Sequence, residues 1–143
     1  MRALLQRVVE ARVEVGGRCV GSIGPGLLVF LGIEEGDDEV VADRMVEKVT
    51  RLRVFDDPEG KMNESLGSRE VLCVSQFTLC ADTDSGTRPG FSRAASPELA
   101  EPLYERVRDG LGGIGGVFGA EMQVGLINDG PVTIPIRIDP TAT

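Results

Sequence analysis

Two short polar segments carry the side chains of this sequence that are best suited to chemistry. Ser75-Gln76-Phe77-Thr78 interrupts an apolar run with two hydroxyl groups and an amide, and Asn128-Asp129-Gly130-Pro131-Val132-Thr133 joins polar groups to a Gly-Pro pair. Polar groups that interrupt an apolar run need hydrogen-bond partners. Each segment also has an ordinary structural explanation, because hydroxyl groups cap strand ends and Asn-Asp-Gly-Pro is typical of a turn. The pattern alone does not assign a function.

The absence of histidine from the 143 residues narrows the possible chemistry. It excludes a Ser-His-Asp or Cys-His triad, a histidine general base and a histidine-ligated metal site. Cys19, Cys73 and Cys80 have no C-x-x-C spacing, so neither a disulfide framework nor a zinc ribbon is indicated. We expect reduced thiols, no metal, no cofactor and a cytoplasmic protein.

The charge balance limits the partners of the chain. Fifteen Lys and Arg residues against 23 Asp and Glu give a net charge of −8. The molecule as a whole therefore repels a polyanion, and any contact with nucleic acid is expected to be local. The longest unbroken apolar run, 27–31, is far shorter than the ~20 residues that a membrane span needs. We expect a soluble single domain, residues 1–143, without membrane or DNA partners.

The residues before the first polar segment have the pattern of a curled antiparallel sheet. Apolar and charged residues alternate over 9–15, which predicts a half-buried strand. Gly16-Gly17 then predicts a turn, and 18–23 the returning strand. The apolar segment 27–33 predicts a strand that is buried on both faces.

Two amphipathic helices are predicted. Apolar residues at 41, 45, 49 and 52 recur at helical spacing after the acidic run 34–39. We interpret that run as a solvated first turn, because its spacing fits no calcium loop. Ser96 as N-cap, Pro97 at the first position and apolar residues at 99, 103, 107 and 111 define the second helix.

Further strands must hold the two polar segments in place. They are predicted at 52–55, 71–79, 122–126 and 132–138. Ser75 to Thr78 would lie near the carboxyl end of the second of these, and a turn at 128–131 would separate the last two. Pro135 belongs on a sheet edge because proline lacks a backbone N–H. The connection 82–93 is long for a compact domain, which indicates either disorder or a function.

Seven segments, in the same order along the chain, resemble one known family. They are residues 6–8, 21–29, 60–63, 75–79, 88–92, 118–122 and 128–133. The family that they resemble is the D-aminoacyl-tRNA deacylase family, of the bacterial D-tyrosyl-tRNA deacylase type. The sequence departs from the family pattern at Cys80, where an aromatic residue is common, and at Gly90, which is often serine.

This resemblance implies an α+β fold with a curved, barrel-like, mostly antiparallel sheet, two main helices and a homodimer. It implies metal-independent hydrolysis of the ester bond of D-aminoacyl-tRNA, which releases the D-amino acid and tRNA. Gly130 and Pro131 of one subunit, joined by a cis peptide bond, would enter the partner's pocket as a chiral filter. Backbone oxygens against the α-carbon admit hydrogen and reject a methyl group. L-aminoacyl-tRNA would then be excluded, whereas glycyl-tRNA would be accepted.

The same resemblance suggests roles for single residues. Backbone N–H groups of Phe77 and Thr78 would bind the oxyanion, with Ser75 and Gln76 completing the catalytic segment; one such donor contributes about 2.7–4 kcal/mol in a protease. The ribose 2′-hydroxyl would position the water. Thr78 as a covalent nucleophile is the alternative, and it needs a base that the sequence does not supply. The residues expected at the 3′ acceptor end are Arg7, Arg88, Arg93, Phe91, Asn128 and Thr133.

Three other hypotheses are considered. A non-catalytic dimeric module would bind RNA ends or amino acids in the same pocket without turnover. A paralogue with a relaxed chiral filter would act on L-aminoacyl- or glycyl-tRNA, and its Gly130-Pro131 bond would be trans. A reactive Cys80 thiol is disfavoured, because no histidine or adjacent lysine lowers its pKa.

Overall fold

Eight strands and two α-helices make up residues 1–141, the part of the chain that this computed structural model describes. The strands are β1 (Arg2–Val15), β2 (Arg18–Ile23), β3 (Gly26–Gly32), β4 (Phe55–Asp56), β5 (Met62–Glu64), β6 (Glu70–Ser75), β7 (Ile114–Gly115) and β8 (Gln123–Arg137). The helices are α1 (Glu39–Arg51) and α2 (Pro97–Gly110). A short 3₁₀ helix, Phe77–Cys80, directly follows β6.

Six of the strands form one mixed sheet that curls on itself. Its order is β2-β1-β3-β6-β7, with β8 on the other side of β1. β1 pairs antiparallel with β2, β3 and β8, whereas β3–β6 and β6–β7 are parallel. The ends of the sheet approach each other, since a Cβ placed on Gly21 would lie 2.9 Å from the carbonyl oxygen of Gly115. The predicted barrel-like, mostly antiparallel architecture is confirmed.

The two helices pack together over the larger apolar core. Asp38 caps α1 by accepting a hydrogen bond from the Val41 N–H at 3.0 Å. The guanidinium of Arg106 on α2 binds Asp43 on α1 at 2.8 Å. The core positions of α2 differ in one respect from the prediction: Leu99 is exposed and Ala100 takes the inward position. The side chains that the helices bury are Val41, Ala42, Met45 and Val49 from α1, and Ala100, Leu103, Tyr104 and Val107 from α2.

β1 is longer than predicted and contains an irregularity. It begins at Arg2 rather than at residue 9, and Ala3 and Leu5 lie in the core. Its register against β8 shifts on both sides of Val8. This bulge turns Val9 outward, so that Val9 is 47% exposed although the alternating pattern predicts it inside.

β8 is continuous through the predicted turn. Gln6 pairs with Thr133 and Val8 pairs with Asn128, so that residues 129–132 bulge out of the ladder opposite Arg7. The prediction of two strands separated by a turn was therefore wrong, because the ladder resumes with the same partner strand. Pro135 lies on β8, which pairs only with β1 within residues 1–141, and its place on a sheet edge is confirmed.

Three local predictions also differ from the structure. β6 ends at Ser75 rather than at residue 79, where the chain turns into the 3₁₀ helix. Of the predicted strand 52–55, only Phe55 belongs to a strand, the two-residue β4, which pairs with β5. The acidic run is not wholly solvated, because Asp37 is buried and binds the Met1 ammonium group at 2.9 Å. A buried carboxylate needs such a partner.

Candidate active site

A cavity of about 590 Å³ opens where β6 ends. Ser75, Gln76, Phe77 and Phe91 lie on its wall, so the structure brings four of the predicted site residues together. The rest of the lining is mostly apolar and comes from the start of α2 and from residues 118–124. A mouth with polar groups and an apolar interior is typical of a site for a small organic group.

The first turn of the 3₁₀ helix has two backbone donors beside the cavity: Phe77 belongs to the cavity lining, and Thr78 is the next residue, outside the lining. The Gln76 N–H still belongs to the sheet, because it donates to the Leu31 carbonyl at 2.8 Å. The next two N–H groups, of Phe77 and Thr78, have no acceptor among residues 1–141, and both residues are exposed. The first N–H groups of a helix lack partners within it. They are available to an oxygen that carries negative charge.

Side chains at the mouth are arranged around Thr78. The Gln76 amide donates a short hydrogen bond to the Thr78 hydroxyl oxygen. No carboxylate or amine is bonded to that hydroxyl within the described chain. The Thr78 hydroxyl is therefore held in place, but no neighbouring base is placed to deprotonate it.

Phe91 reaches the cavity from the long connection after the 3₁₀ helix. Its ring meets Phe77 edge-on, with centroids 5.1 Å apart and an interplanar angle of 73°. The connection is an ordered part of the site, since Asp82 and Gly90 exchange backbone bonds of 2.7 and 2.9 Å. Arg88 lies in the closed loop, exposed and without an ion pair within residues 1–141, whereas Arg93 is 3.9 Å from Asp82.

The Gly130-Pro131 pair lies at the exposed tip of the β8 bulge, outside the lining of the cavity. Its peptide bond is cis, the isomer that the resemblance implies. The Asn128 carboxamide oxygen accepts from the Val132 N–H at 2.8 Å, and its nitrogen donates to the Thr133 hydroxyl at 2.8 Å. Asn128 and Thr133, predicted to bind substrate, are thus engaged in holding the bulge.

Arg7 is placed differently from the prediction that it meets the tRNA end. It is buried, and its guanidinium donates to the Asp129 carbonyl and to the Val54 carbonyl, both at 2.9 Å. The Asp56 carboxylate is a further partner at 3.3 Å. With its donors so engaged, Arg7 supports the base of the bulge rather than facing a phosphate in solvent.

A family model described as D-Tyr-tRNA(Tyr) deacylase matches residues 4–137. This chain belongs to the D-aminoacyl-tRNA deacylase family. The D-aminoacyl-tRNA deacylase of Symbiobacterium thermophilum is 54% identical over 148 residues, which cover 99% of this chain and 98% of that protein. That of Pasteurella multocida is 54% identical over 144 residues, which cover 96% and 100%. The chain is therefore a hydrolase that acts on D-aminoacyl-tRNA.

Solved structures agree on the deacylase fold. The structure of a protein named c-Myc DNA Unwinding Element Binding Protein has a TM-score of 0.90 and 41% identity, and the match covers 98% of this chain and 100% of that one. A probable eukaryotic D-amino acid tRNA deacylase has a TM-score of 0.79 at 19% identity, over 96% and 98% of the two chains. The second likeness concerns the fold alone.

The sequence analysis did not find the back wall of the deacylase cavity. Ala100 of α2 and Phe118 and Met122 of the loop before β8 line it. Ala100 was not predicted to face inward, because Leu99 fits the helical spacing of the inward face equally well and is more apolar. Residues 118–122 contain no arrangement of polar side chains that suggests a site. Their similarity to the family was the only indication in the sequence that this loop has a function.

Cys80 lies beside the site of the deacylase but faces inward. It is buried, and its thiol donates to the Ile33 carbonyl at 3.6 Å. Burial, with a smaller contribution from Glu34, raises the pKa of the Cys80 thiol. Within residues 1–141, no group of three or more Cys, Asp and Glu side chains is placed to hold a metal ion. No described helix combines the length and apolar character that crossing a membrane requires.

Proposed function

We propose that the deacylase cleaves the ester between a D-amino acid and the 3′-oxygen of the terminal ribose in the cavity at the end of β6. Water adds to the carbonyl carbon, the bond from that carbon to O3′ breaks, and O3′ takes the proton that the water loses. The observation that carries the proposal is the pair of consecutive N–H groups without acceptors in the described chain, that of Phe77 on the cavity lining and that of Thr78 next to it. They would stabilise the oxyanion.

The acceptor end of the tRNA would enter beside the long connection. The faces of Phe91 and Phe77 offer an aromatic surface for the terminal adenine, because single-stranded RNA is bound largely by stacking. Arg88, exposed and without an ion pair in the described chain, would meet a phosphate, with Arg93 as a second cation. Gln76, which holds Thr78, would orient the acyl group.

Chiral selection would come from the partner subunit of a homodimer. The exposed Gly130-Pro131 tip does not line the cavity of its own chain, and Asn128, Thr133 and Arg7 hold its base. A tip held in this way can present rigid backbone oxygens to a neighbour's cavity. Such a wall would admit the α-hydrogen of a D-amino acid or of glycine and exclude the side chain of an L-amino acid.

The backbone-donor mechanism is tested by substitutions at Phe77, the first position of the 3₁₀ helix. Phe77→Pro removes the N–H at a position that accepts proline, and Phe77→Ala removes only the ring. We expect kcat on D-tyrosyl-tRNA to fall about 100- to 1000-fold further in the proline variant than in the alanine variant. Single-turnover acid gels measure the rates. Equal losses in the two variants would contradict an oxyanion role for this N–H.

Three alternatives remain: a paralogue with a relaxed chiral filter, Thr78 as a covalent nucleophile, and a module that binds without cleavage. Hydrolysis rates on three substrates and the activity of Thr78→Ala distinguish them from the proposed function. D-tyrosyl- and glycyl-tRNA are expected to be hydrolysed and L-tyrosyl-tRNA to be left intact. Thr78→Ala is expected to keep most of its activity, within about fivefold, because Thr78 acts through its backbone. Abolished activity in a folded, tRNA-binding Thr78→Ala protein would support the covalent nucleophile instead. Tight binding of D-tyrosyl-tRNA without cleavage would support the non-catalytic module.

A further inference from the structure

The cations of this acidic chain that lack an ion pair are unevenly distributed. Within residues 1–141 they are Arg18, Arg44, Lys48, Arg53, Lys61 and Arg88. Three of these six, Arg44, Lys48 and Arg53, lie in α1 from its middle onward or just after it. On a protein of net charge −8, this concentration of uncompensated positive charge marks a separate surface.

A surface groove of about 290 Å³ lies along this part of α1, against Ile138. Arg44, Lys48 and Arg51 line it together with the Glu47 carboxylate, and the spacings of four and three residues place the three cations on one helix face. Lys48 is exposed. Arg51 pairs with Glu47 at 2.9 Å, but both side chains are mostly exposed, so this pair is weak and can open.

Charged residues connect the active-site cavity with this groove. Ala94 on the cavity wall forms a β-bridge with Glu34, whose carboxylate binds the Arg2 guanidinium at 2.6 Å. Arg2 lies opposite Arg137 in the β1–β8 ladder. Arg2 and Arg137, two further cations that are each paired with one carboxylate, thus lie between the cavity and the end of β8.

The path continues from the end of β8 to α1. Arg137 binds the Asp139 carboxylate at 2.8 Å, and the Asp139 carbonyl accepts from the Arg44 guanidinium at 2.8 Å. From Arg44 to Arg51 the helix extends about 10 Å further, at 1.5 Å per residue. The groove therefore begins a few side chains away from the cavity and leads away from it.

We propose that the α1 face formed by Arg44, Lys48 and Arg51 docks the phosphate backbone of the base-paired acceptor stem of the substrate tRNA. The proposal rests on the proposed function, because an ester held in the cavity requires the stem to follow the unpaired 3′ nucleotides outward. Duplex RNA is recognised mainly through its shape and its phosphates, which suits a row of cations along one helix face. Lys48 and Arg51 also complement the dipole of α1 near its C-terminus. A cation that is paired with a carboxylate could serve that purpose equally well, so the helix dipole does not explain why Lys48 is left without a partner.

The test compares Lys48→Glu and Arg44→Glu with Arg18→Glu as the matched control. Arg18 is also exposed and lacks an ion pair in the described chain, but it lies at the start of β2. Three quantities are measured: the Kd for uncharged tRNA at several salt concentrations, kcat/KM on D-tyrosyl-tRNA, and hydrolysis of the 3′-D-tyrosyl ester of adenosine. The adenosine ester occupies the cavity but has no stem.

We expect Lys48→Glu to weaken tRNA binding and to lower kcat/KM on D-tyrosyl-tRNA about tenfold at low salt. The slope of log Kd against log salt should fall in magnitude by about one, as for the loss of one phosphate contact. Cleavage of the adenosine ester should be unchanged. Arg44→Glu should act in the same direction, and Arg18→Glu should change each quantity less than twofold.

Two results would overturn the proposal. Equal effects of Lys48→Glu and Arg18→Glu would show that only the overall charge matters. An equal loss on the adenosine ester and on the tRNA would show that the substitution disturbs the cavity. A failure of the proposed function is recognised separately, because the unsubstituted protein would then leave both D-esters intact while the Kd for uncharged tRNA still reports on the α1 face.

Discussion

The three cysteines show how the surroundings of a single residue set its reactivity. Burial raises the pKa of Cys73 to about 12 and also raises the pKa of Cys80, whereas Cys19 is exposed. A raised thiol pKa means less thiolate at pH 8, and the thiolate is the reactive form. We expect iodoacetamide to give one adduct on the folded protein, at Cys19, and none on Cys19→Ser. Mass spectrometry of the peptides measures this, and an adduct on Cys80 would contradict it.

The sequence indicated which residues could do chemistry better than it indicated their burial and their hydrogen-bond partners. The segment from Ser75 to Thr78 was singled out because polar groups in an apolar run need partners, and Ser75, Gln76 and Phe77 line the cavity. The solvation predicted for Asp37 was wrong, because Asp37 is buried against the Met1 ammonium group. Arg7 is also buried, under the β8 bulge, by a contact with a distant part of the chain. A sequence pattern shows that a residue is charged, but not which remote group neutralises it.

At the scale of the element, the 3₁₀ helix depends on the absence of a side chain at Gly32 of β3. A Cβ at that position would lie 3.1 Å from the Gln76 carbonyl oxygen, the Leu79 Cβ and the Cys80 Sγ. Such contacts are tighter than ordinary packing allows, so the helix would have to move away from β3. Gly32 thus acts as a positioning residue for the two backbone donors.

Gly32→Ala is therefore expected to lower kcat on D-tyrosyl-tRNA at least tenfold, with KM changed less than threefold. An overpacked core also costs about 1–3 kcal/mol of unfolding free energy, which denaturant titration measures. Gly24→Ala is the matched control, because its Cβ would meet only the Glu70 carboxylate, at 3.5 Å. Unchanged kcat in a destabilised Gly32→Ala protein would show that the donors do not depend on this contact.

The elements that the sequence predicted least well are those with irregular ladders. The turn-like residues 128–131 suggested that β8 is interrupted, but Arg7 and Asn128 hold the bulge and the pairing with β1 resumes at Thr133. The bulge around Val9 in β1 has no sequence signal of its own. Both irregularities depend on which strands become neighbours, and that is decided by the fold of the whole chain.

At the scale of the whole molecule, barrel closure and the two helices followed from the patterns together with the family resemblance. The back wall of the cavity did not, because it comes from α2 and the loop before β8, which are far from β6 in sequence. In the proposed mechanism, the Gly130-Pro131 tip acts on a second chain. Val9 and Ile127, 47% and 52% exposed, lie close to this bulge on β1 and β8.

A homodimer formed through this surface would bury Val9 and Ile127 beside the Gly130-Pro131 tip. Ile127→Asp changes an exposed side chain of the single chain, so its effect on the unfolding free energy of the isolated chain should be within about 0.5 kcal/mol. In a dimer, however, it would leave an unpaired charge in an apolar interface. We expect sedimentation velocity at micromolar concentration to show a dimer for the unsubstituted protein and a monomer for Ile127→Asp. Val40→Asp, at a 58% exposed position on α1, should stay dimeric.

The same variant connects assembly with chirality. If the partner's tip forms the chiral wall, the Ile127→Asp monomer has an open cavity, and its ratio of D-tyrosyl- to L-tyrosyl-tRNA hydrolysis should fall at least tenfold. Val40→Asp should keep the ratio of the unsubstituted protein, because its substitution lies on the helix layer. A monomeric Ile127→Asp protein that still rejects L-tyrosyl-tRNA would show that one chain selects the substrate alone. Selection by the cavity walls of a single subunit would then replace the filter across the dimer.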